Sequence, residues 1–138
     1  MASIRSGIGE NVEYRYLFKA KHFEEWHTGN IVKEPDGLYI RDINRNAMVY
    51  IDDESTICQC TGLKDKNGKL IWENDIVKGT WFDKGKSHRH IGTVSYICCA
   101  YKVVGVKQYY GLHDELNGSY IVIGNIFDNP ELLESEEI

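Results

Sequence analysis

The stretch that decides the fold runs from Cys60 to Val77 and reads CTGLKDKNGKLIWENDIV. Its Asn67-Gly68 pair lies between two short apolar runs, and both residues accept positive φ, so the pair predicts a β-hairpin. A second polar turn, Glu73-Asn74-Asp75, comes just before Ile76-Val77, where a new strand is expected to begin. The stretch therefore predicts antiparallel strands joined by tight turns.

Strand patterns and turn signals continue on both sides of this stretch. Residues 12–21 are rich in aromatic side chains and partly alternate, and residues 26–32 read as the returning strand. The turn Glu34-Pro35-Asp36-Gly37 follows, with Pro presetting φ and Gly supplying positive φ. These signals predict an N-terminal β-meander. Residues 91–104 form the longest run of β-branched and aromatic residues, which predicts a strand.

The end of the chain differs from the rest. Asn129 is a good N-cap, Pro130 suits the first helical position, and Glu131 favours the positive end of a helix dipole. We expect a short helix from Pro130 to about Glu134. Many short strands with a single helix predict a mainly β protein that forms a small barrel or roll.

The 138 residues suffice for one ordinary core and not for two large independent domains. We divide the chain into a disordered leader at residues 1–10, a β-meander region at residues 11–57, and a second β region with the terminal helix at residues 58–138, to which the family resemblance given below assigns the barrel. The acidic segment 52–55 marks the internal boundary. Together the two β regions are expected to form one compact unit.

Charge and hydropathy limit the classes of partner. The formal net charge is −5, which gives no long-range attraction for a phosphate backbone and argues against a general nucleic-acid binder. No apolar run approaches the length that crosses a bilayer, and the first residues lack the apolar core of a signal peptide. The sequence predicts a soluble, cytoplasmic protein without a membrane partner.

The cysteines and histidines raise the question of a metal. The four cysteines are Cys58, Cys60, Cys98 and Cys99. Without an export signal they are expected to be free buried thiols, and the adjacent Cys98 and Cys99 should point to opposite faces of a strand. Cys58 and Cys60 with His88 and His90 include the ligand types of zinc, but neither pair has the Cys-x-x-Cys spacing of common structural sites. We predict no metal.

No catalytic signature is present. His22 and His27 are five residues apart and do not form a His-Glu-x-x-His helix, and no Ser lies in a Gly-x-Ser-x-Gly turn. Residues 79–87 have the wrong glycine spacing for a phosphate-binding loop, and no helix is expected after Ser87. We predict no catalytic residue, no cofactor and no enzymatic activity.

Two motifs give the chain a resemblance to a known family. They are TGLKDKNGK with ENDIV, within residues 61–77, and VIGNIFDNPELL at residues 122–133. In these motifs the chain resembles the YopX family of small proteins from phages and prophages of Gram-positive bacteria, and a looser match covers residues 19–29. The resemblance implies an SH3-like barrel in the C-terminal half and a phage origin, and it implies no activity.

The chain departs from the family pattern at identifiable positions. Asn74 stands where Gly commonly precedes Asp-Ile-Val, and Asn is well able to take left-handed backbone geometry there. Cys60 stands where an aromatic residue is expected before Thr-Gly-Leu. At the first hairpin, Glu24-Glu25 replaces an Asn-Gly type of turn.

Residues 78–90, which we interpret as a loop, form the one basic patch of the sequence. The expected contact residues are Trp81, Phe82, Lys84, Lys86 and Arg89. We favour a non-enzymatic module that binds a protein of the phage or its host, or a second copy of itself. The contacts would be made by exposed strand edges and this loop. The alternative is a small barrel that binds nucleic acid with the same loop, cations on phosphates and rings under bases.

Overall fold

The structure, a computed structural model, describes residues 17–134, and β-strands predominate in it, so the prediction of a mainly β protein is confirmed. The strands are β1 Phe18–His22, β2 Glu25–Glu34, β3 Gly37–Asp42, β4 Ala47–Tyr50, β5 Cys58–Lys64, β6 Leu70–Trp72, β7 Asp75–Asp83, β8 Lys86–Ile97, β9 Ala100–Gly105, β10 His113–Glu115 and β11 Ile121–Asn125. Short 3-10 helices span Glu54–Thr56, Lys107–Tyr109 and Pro130–Leu133. The predicted leader at residues 1–10 lies outside the described residues.

The strands form two antiparallel sheets, with the orders β4-β3-β2-β1-β5-β6 and β10-β9-β8-β7-β11. The contacts divide the chain into two compact units, one ending at Gly62 and the other beginning at Leu63. The sequence predicts a small barrel or roll, and a closed barrel is not found among the described residues. In the second sheet β11 joins the far edge beside β7, while β10 has only three residues and pairs with β9, so the two edges stay unjoined.

The first unit is built on a meander, as its turn signals predict. Strands β1 to β4 are consecutive antiparallel neighbours, and their core is the cluster of Ala20, Ile40 and Ile51. Inside the unit, the buried His27 Nδ1 lies 2.6 Å from Asp42 Oδ2. This hydrogen bond is the first cause of the lowered pKa of Asp42, because it favours the carboxylate.

The second unit has its own core beneath the second sheet. It consists of Ile71, Val77, Val94, Val103 and Tyr120, all fully buried. Val77, Val94 and Val103 come from three neighbouring strands, so the core follows the inward face of β7, β8 and β9. Tyr120 comes from the residue before β11 and fills the space beside that face.

The predicted Asn67-Gly68 hairpin is present, but its turn differs in type. Gly68 has φ +88° and Asn67 has no positive φ, while the Gly68 N–H donates to the Asp65 carbonyl and the Asp65 N–H to the Lys69 carbonyl. This is a three-residue connection with Gly in the left-handed position. The prediction for Asn74 is confirmed, since its φ is +71°.

The continuous strand predicted over residues 91–104 is wrong. Cys98 and Cys99 form a turn between β8 and β9, with φ values of +53° and +68°, and both side chains are exposed. They are therefore neither buried nor on opposite faces of a strand. Cysteine rarely takes left-handed geometry, so the sequence carries no turn signal at this point.

The C-terminal segment forms a four-residue 3-10 helix, Pro130–Leu133, and an α-helix is not found there. Pro130 takes the first position, but the Asn129 side chain makes no capping bond. Its Oδ1 accepts instead from the Asn125 N–H at 3.1 Å, which ties the segment to the end of β11. Within residues 17–134, no helix is long and apolar enough to cross a membrane.

Candidate functional site

The basic segment 78–90 is a β-hairpin, so its interpretation as a loop is wrong. Strands β7 and β8 pair continuously out to Asp83 and Lys86, and Lys84 and Gly85 make the two-residue turn between them. Their φ values of +52° and +80° match a type I′ turn, whose twist suits a hairpin. The side chains at its end therefore stand on a paired strand scaffold.

Pairing places the five predicted contact residues on different sides of the hairpin. Trp81 and Lys86 share the face that leads down to the buried Val77, while Phe82 and Arg89 occupy the opposite face. Lys84 lies in the turn between them. The structure thus brings the five into one hairpin without joining them into one surface.

Aromatic side chains occupy both faces near the turn. The Trp81 ring stacks on the cross-strand His88 ring, with centroids 4.9 Å apart and planes 29° apart. On the other face Phe82 is 70% exposed, and the residues of the turn beside it are exposed as well. We name Phe82, Lys84 and Lys86 the hairpin tip; it combines an exposed ring with two cations.

His90 lies at the base of the hairpin and is fully buried. Its Nε2 is 3.1 Å from the Leu112 carbonyl, which can only accept, so Nε2 carries a proton and donates. Its Nδ1 lies 2.8 Å from Tyr120 Oη, and the same tyrosine hydroxyl donates to Asp114 Oδ2 at 3.4 Å. Burial, and then the nearby Asp114 carboxylate, raise the pKa of Tyr120, so the hydroxyl stays protonated as a donor.

The cysteines and histidines considered for zinc do not form a site. Cys58 and Cys60 are buried in the first unit, where the Cys58 thiol donates to the Thr56 carbonyl at 3.2 Å. Both ring nitrogens of His90 are already hydrogen-bonded. Among residues 17–134 there is no group of three or more metal-ligating side chains.

A cleft of about 320 Å³ opens beside β7 and β8, on the face of the hairpin that carries Phe82. Its lining includes Lys66, Lys78, Thr80, Ser87, Arg89 and Ser119. We name these six residues the basic cleft. Arg89 is the one predicted contact residue in it.

Sequence reasoning missed Lys66 and Ser119, which come from outside the hairpin. Lys66 lies in the turn between β5 and β6, and its N–H donates to the Tyr120 carbonyl at 3.0 Å. The Ser119 hydroxyl accepts from the Thr80 N–H at 3.1 Å, which fixes the residue against β7. Asn117-Gly118 marks a turn in the sequence, but nothing local predicts which strand that turn meets.

Comparison with known proteins identifies the family. The family model described as YopX protein matches residues 18–134, which is most of the chain. The chain belongs to the YopX family. A search of curated proteins gave no match.

A solved YopX structure is similar to this fold. It is the crystal structure of protein yopX from Bacillus subtilis, 20% identical, with a TM-score of 0.50, and the match covers 89% of this chain and 99% of that one. At this identity the likeness concerns the fold alone. The resemblance read from the two sequence motifs is therefore confirmed at the level of family and mainly β fold.

Proposed function

We propose that this YopX protein is a non-enzymatic, phage- or prophage-encoded binding module that acts in the cytoplasm of the bacterial host. Its hairpin tip binds a protein partner of the phage or the host. The observation that carries the proposal is Phe82, a large apolar side chain that is 70% exposed at the end of a paired hairpin.

The composition of the tip suits recognition of a protein surface. Aromatic anchors contribute strongly to protein interfaces when they enter a pocket of the partner. Lys84 in the turn and Lys86 on the opposite face of the hairpin add two positive charges near the ring, and Asp83 lies next to Lys84 in the sequence. Because the hairpin is already ordered by strand pairing, little further ordering of its backbone is needed on binding. The matching partner has an apolar pocket with acidic residues at its rim.

We also propose that the second unit is an open roll of SH3-like type. In its sheet the strands run β7, β8, β9 and β10 in order, and the last strand, β11, returns to pair with β7. A last strand that pairs with the first is the step by which small barrels begin to close. Strands β7 and β8, with nine and twelve residues, form the longest hairpin of this sheet.

Nucleic acid is the second candidate partner. The observation that favours it is the basic cleft, because Lys66, Lys78 and Arg89 lie on the side of the hairpin that carries the exposed Phe82 ring. Cations beside an aromatic ring match the pattern of single-strand binding. The net charge of −5 confines such an attraction to this one region of the chain.

The test is affinity capture of the full tagged chain from host cells during phage induction. The tip variant combines Phe82→Ser, Lys84→Ala and Lys86→Ala. We expect the wild type to retain a protein with or without nuclease, and the tip variant to retain less than about one tenth as much, since losing an anchor costs 2 kcal/mol or more. A second copy of the chain counts as such a protein.

The matched control is Phe23→Ser, because Phe23 is 72% exposed and lies in the first unit. It should capture the partner as the wild type does. Equal capture by the tip variant would contradict the proposal. Loss of every retained partner on nuclease treatment would make nucleic acid the first candidate.

A further inference from the structure

We propose that the basic cleft binds the phosphate group of a phosphate ester. This goes beyond the proposed protein contact, because Phe82, Lys84 and Lys86 do not line the cleft. The first observation is charge: Lys66, Lys78 and Arg89 come from three places in the chain and converge on one cleft. Within the described part of the chain, no acidic residue lines it.

The three cations are available to a ligand. None of them forms an ion pair with another residue between 17 and 134. Three like charges held around one cleft repel one another, and a bound anion relieves that repulsion. A phosphate monoester carries close to two negative charges near neutral pH, so it suits three cations better than a single carboxylate does.

Arg89 is oriented for this role by a neighbour. Its Nε donates to the Tyr109 hydroxyl at 3.0 Å, which restrains the plane of the guanidinium group. The bond uses one donor of the five, and the donors of the two terminal nitrogens are not used by it. A guanidinium held in this way presents a pair of parallel N–H donors, the geometry that matches two phosphate oxygens.

Hydroxyl groups complete the cleft. Thr80 and Ser87 lie on the same face of the hairpin as Arg89 and can donate to the remaining oxygens. Ser119 has a different part, because its hydroxyl lies 2.6 Å from Asn117 Oδ1 and 3.2 Å from the Thr80 carbonyl. Ser119 therefore forms part of the cleft surface, and the other side chains contact the anion.

The size of the cleft indicates that the ligand is larger than a single phosphate group. A volume of about 320 Å³ exceeds the space that one phosphate occupies. Ile121 adds an apolar surface to the lining. The cleft therefore has room for the group esterified to the phosphate, and the proposed recognition uses side chains of β7, β8 and the β5–β6 turn.

The experiment is an NMR titration of the full chain with inorganic phosphate at low salt. We expect chemical-shift changes at Lys66, Lys78 and Arg89. The cleft variant, Lys66→Ala with Lys78→Ala, should bind phosphate at least about tenfold more weakly, since hydrogen bonds to charged groups are strong. The control Lys33→Ala with Arg41→Ala removes the same charge from exposed positions in the first unit and should bind as the wild type does.

A parallel titration distinguishes the sources of the phosphate. A ten-residue oligothymidylate without terminal phosphate offers only diesters, and phosphoserine offers a monoester. Binding of the oligonucleotide with a salt slope that falls by about 0.7 for each lysine removed assigns a nucleic-acid backbone, and binding of phosphoserine alone assigns a monoester ligand. Absence of shifts at the three cations, or equal binding by the cleft variant, would overturn the proposal while leaving the tip contact intact.

Discussion

Asp65→Ala is expected to lower the free energy of unfolding of the second unit by about 3 kcal/mol, because it leaves three backbone donors without their acceptor. Asp65 is only 6% exposed. Its Oδ1 accepts from the N–H groups of Asn67 and Lys69, both at 2.8 Å, and its Oδ2 accepts from the Val122 N–H at 2.9 Å. One carboxylate thus holds the β5–β6 turn closed and ties it to β11. Chemical denaturation followed by tryptophan fluorescence measures the loss.

The control is Asp83→Ala, which removes an equal charge from an exposed position in the same unit. Its effect should stay within about 0.5 kcal/mol. If the two variants unfold at the same denaturant concentration, the Asp65 carboxylate does not hold the turn.

The same carboxylate predicts a pH dependence. Burial alone would raise the pKa of Asp65, but the three backbone donors outweigh it and the pKa lies below its ordinary 3.8. A lowered pKa contributes stability that is complete above the ordinary value and is lost as pH falls through the lower value in the folded state. The gap between wild type and Asp65→Ala should therefore narrow below about pH 4, as urea denaturation over a pH series would show.

Gly79→Ala is expected to cost about 3 kcal/mol of stability, since the added methyl group has no space. A Cβ at this position would lie 2.4 Å from Tyr120 Cδ1 and 2.9 Å from Tyr120 Cα. The ring is fully buried and the contact includes backbone, so neither atom can give way freely. Thermal unfolding followed by circular dichroism is the measurement.

Gly118→Ala is the matched control for this glycine. It lies in the same unit, and a Cβ there would have no heavy atom within 4 Å. Its effect should be near zero. Equal stability of Gly79→Ala and Gly118→Ala would show that β7 and Tyr120 do not pack as closely as described.

Short-range signals account for what could be predicted. Asn67-Gly68 predicts its hairpin because the turn needs only residues that tolerate left-handed geometry, and Asn74 keeps that geometry at φ +71° in place of Gly. The family resemblance rests on the same local motifs. The turn at Cys98-Cys99 could not be predicted from local sequence. Both residues take positive φ there, and cysteine has no preference for that geometry.

The candidate site was predicted in part. The five residues predicted to make contact are close in sequence and lie on one hairpin, and their role in contact stays a prediction. Their separation onto two faces was not predicted. Residues 78–90 were interpreted as a loop, whereas the turn at Lys84-Gly85 joins two paired strands whose side chains alternate between the faces. The basic cleft could not be predicted from the sequence. Lys66 and Ser119 line the same cleft as Arg89 only because of long-range contacts, including the pairing of β7 with β11.

Site-specific photo-crosslinking in induced host cells tests most directly whether the hairpin tip itself touches a protein. One chain carries a benzophenone amino acid in place of Phe82, and a control chain carries it in place of the equally exposed Phe23. We predict a discrete, nuclease-insensitive protein adduct from position 82 and none from position 23. No protein adduct at position 82, or the same adducts from both positions, would contradict the account.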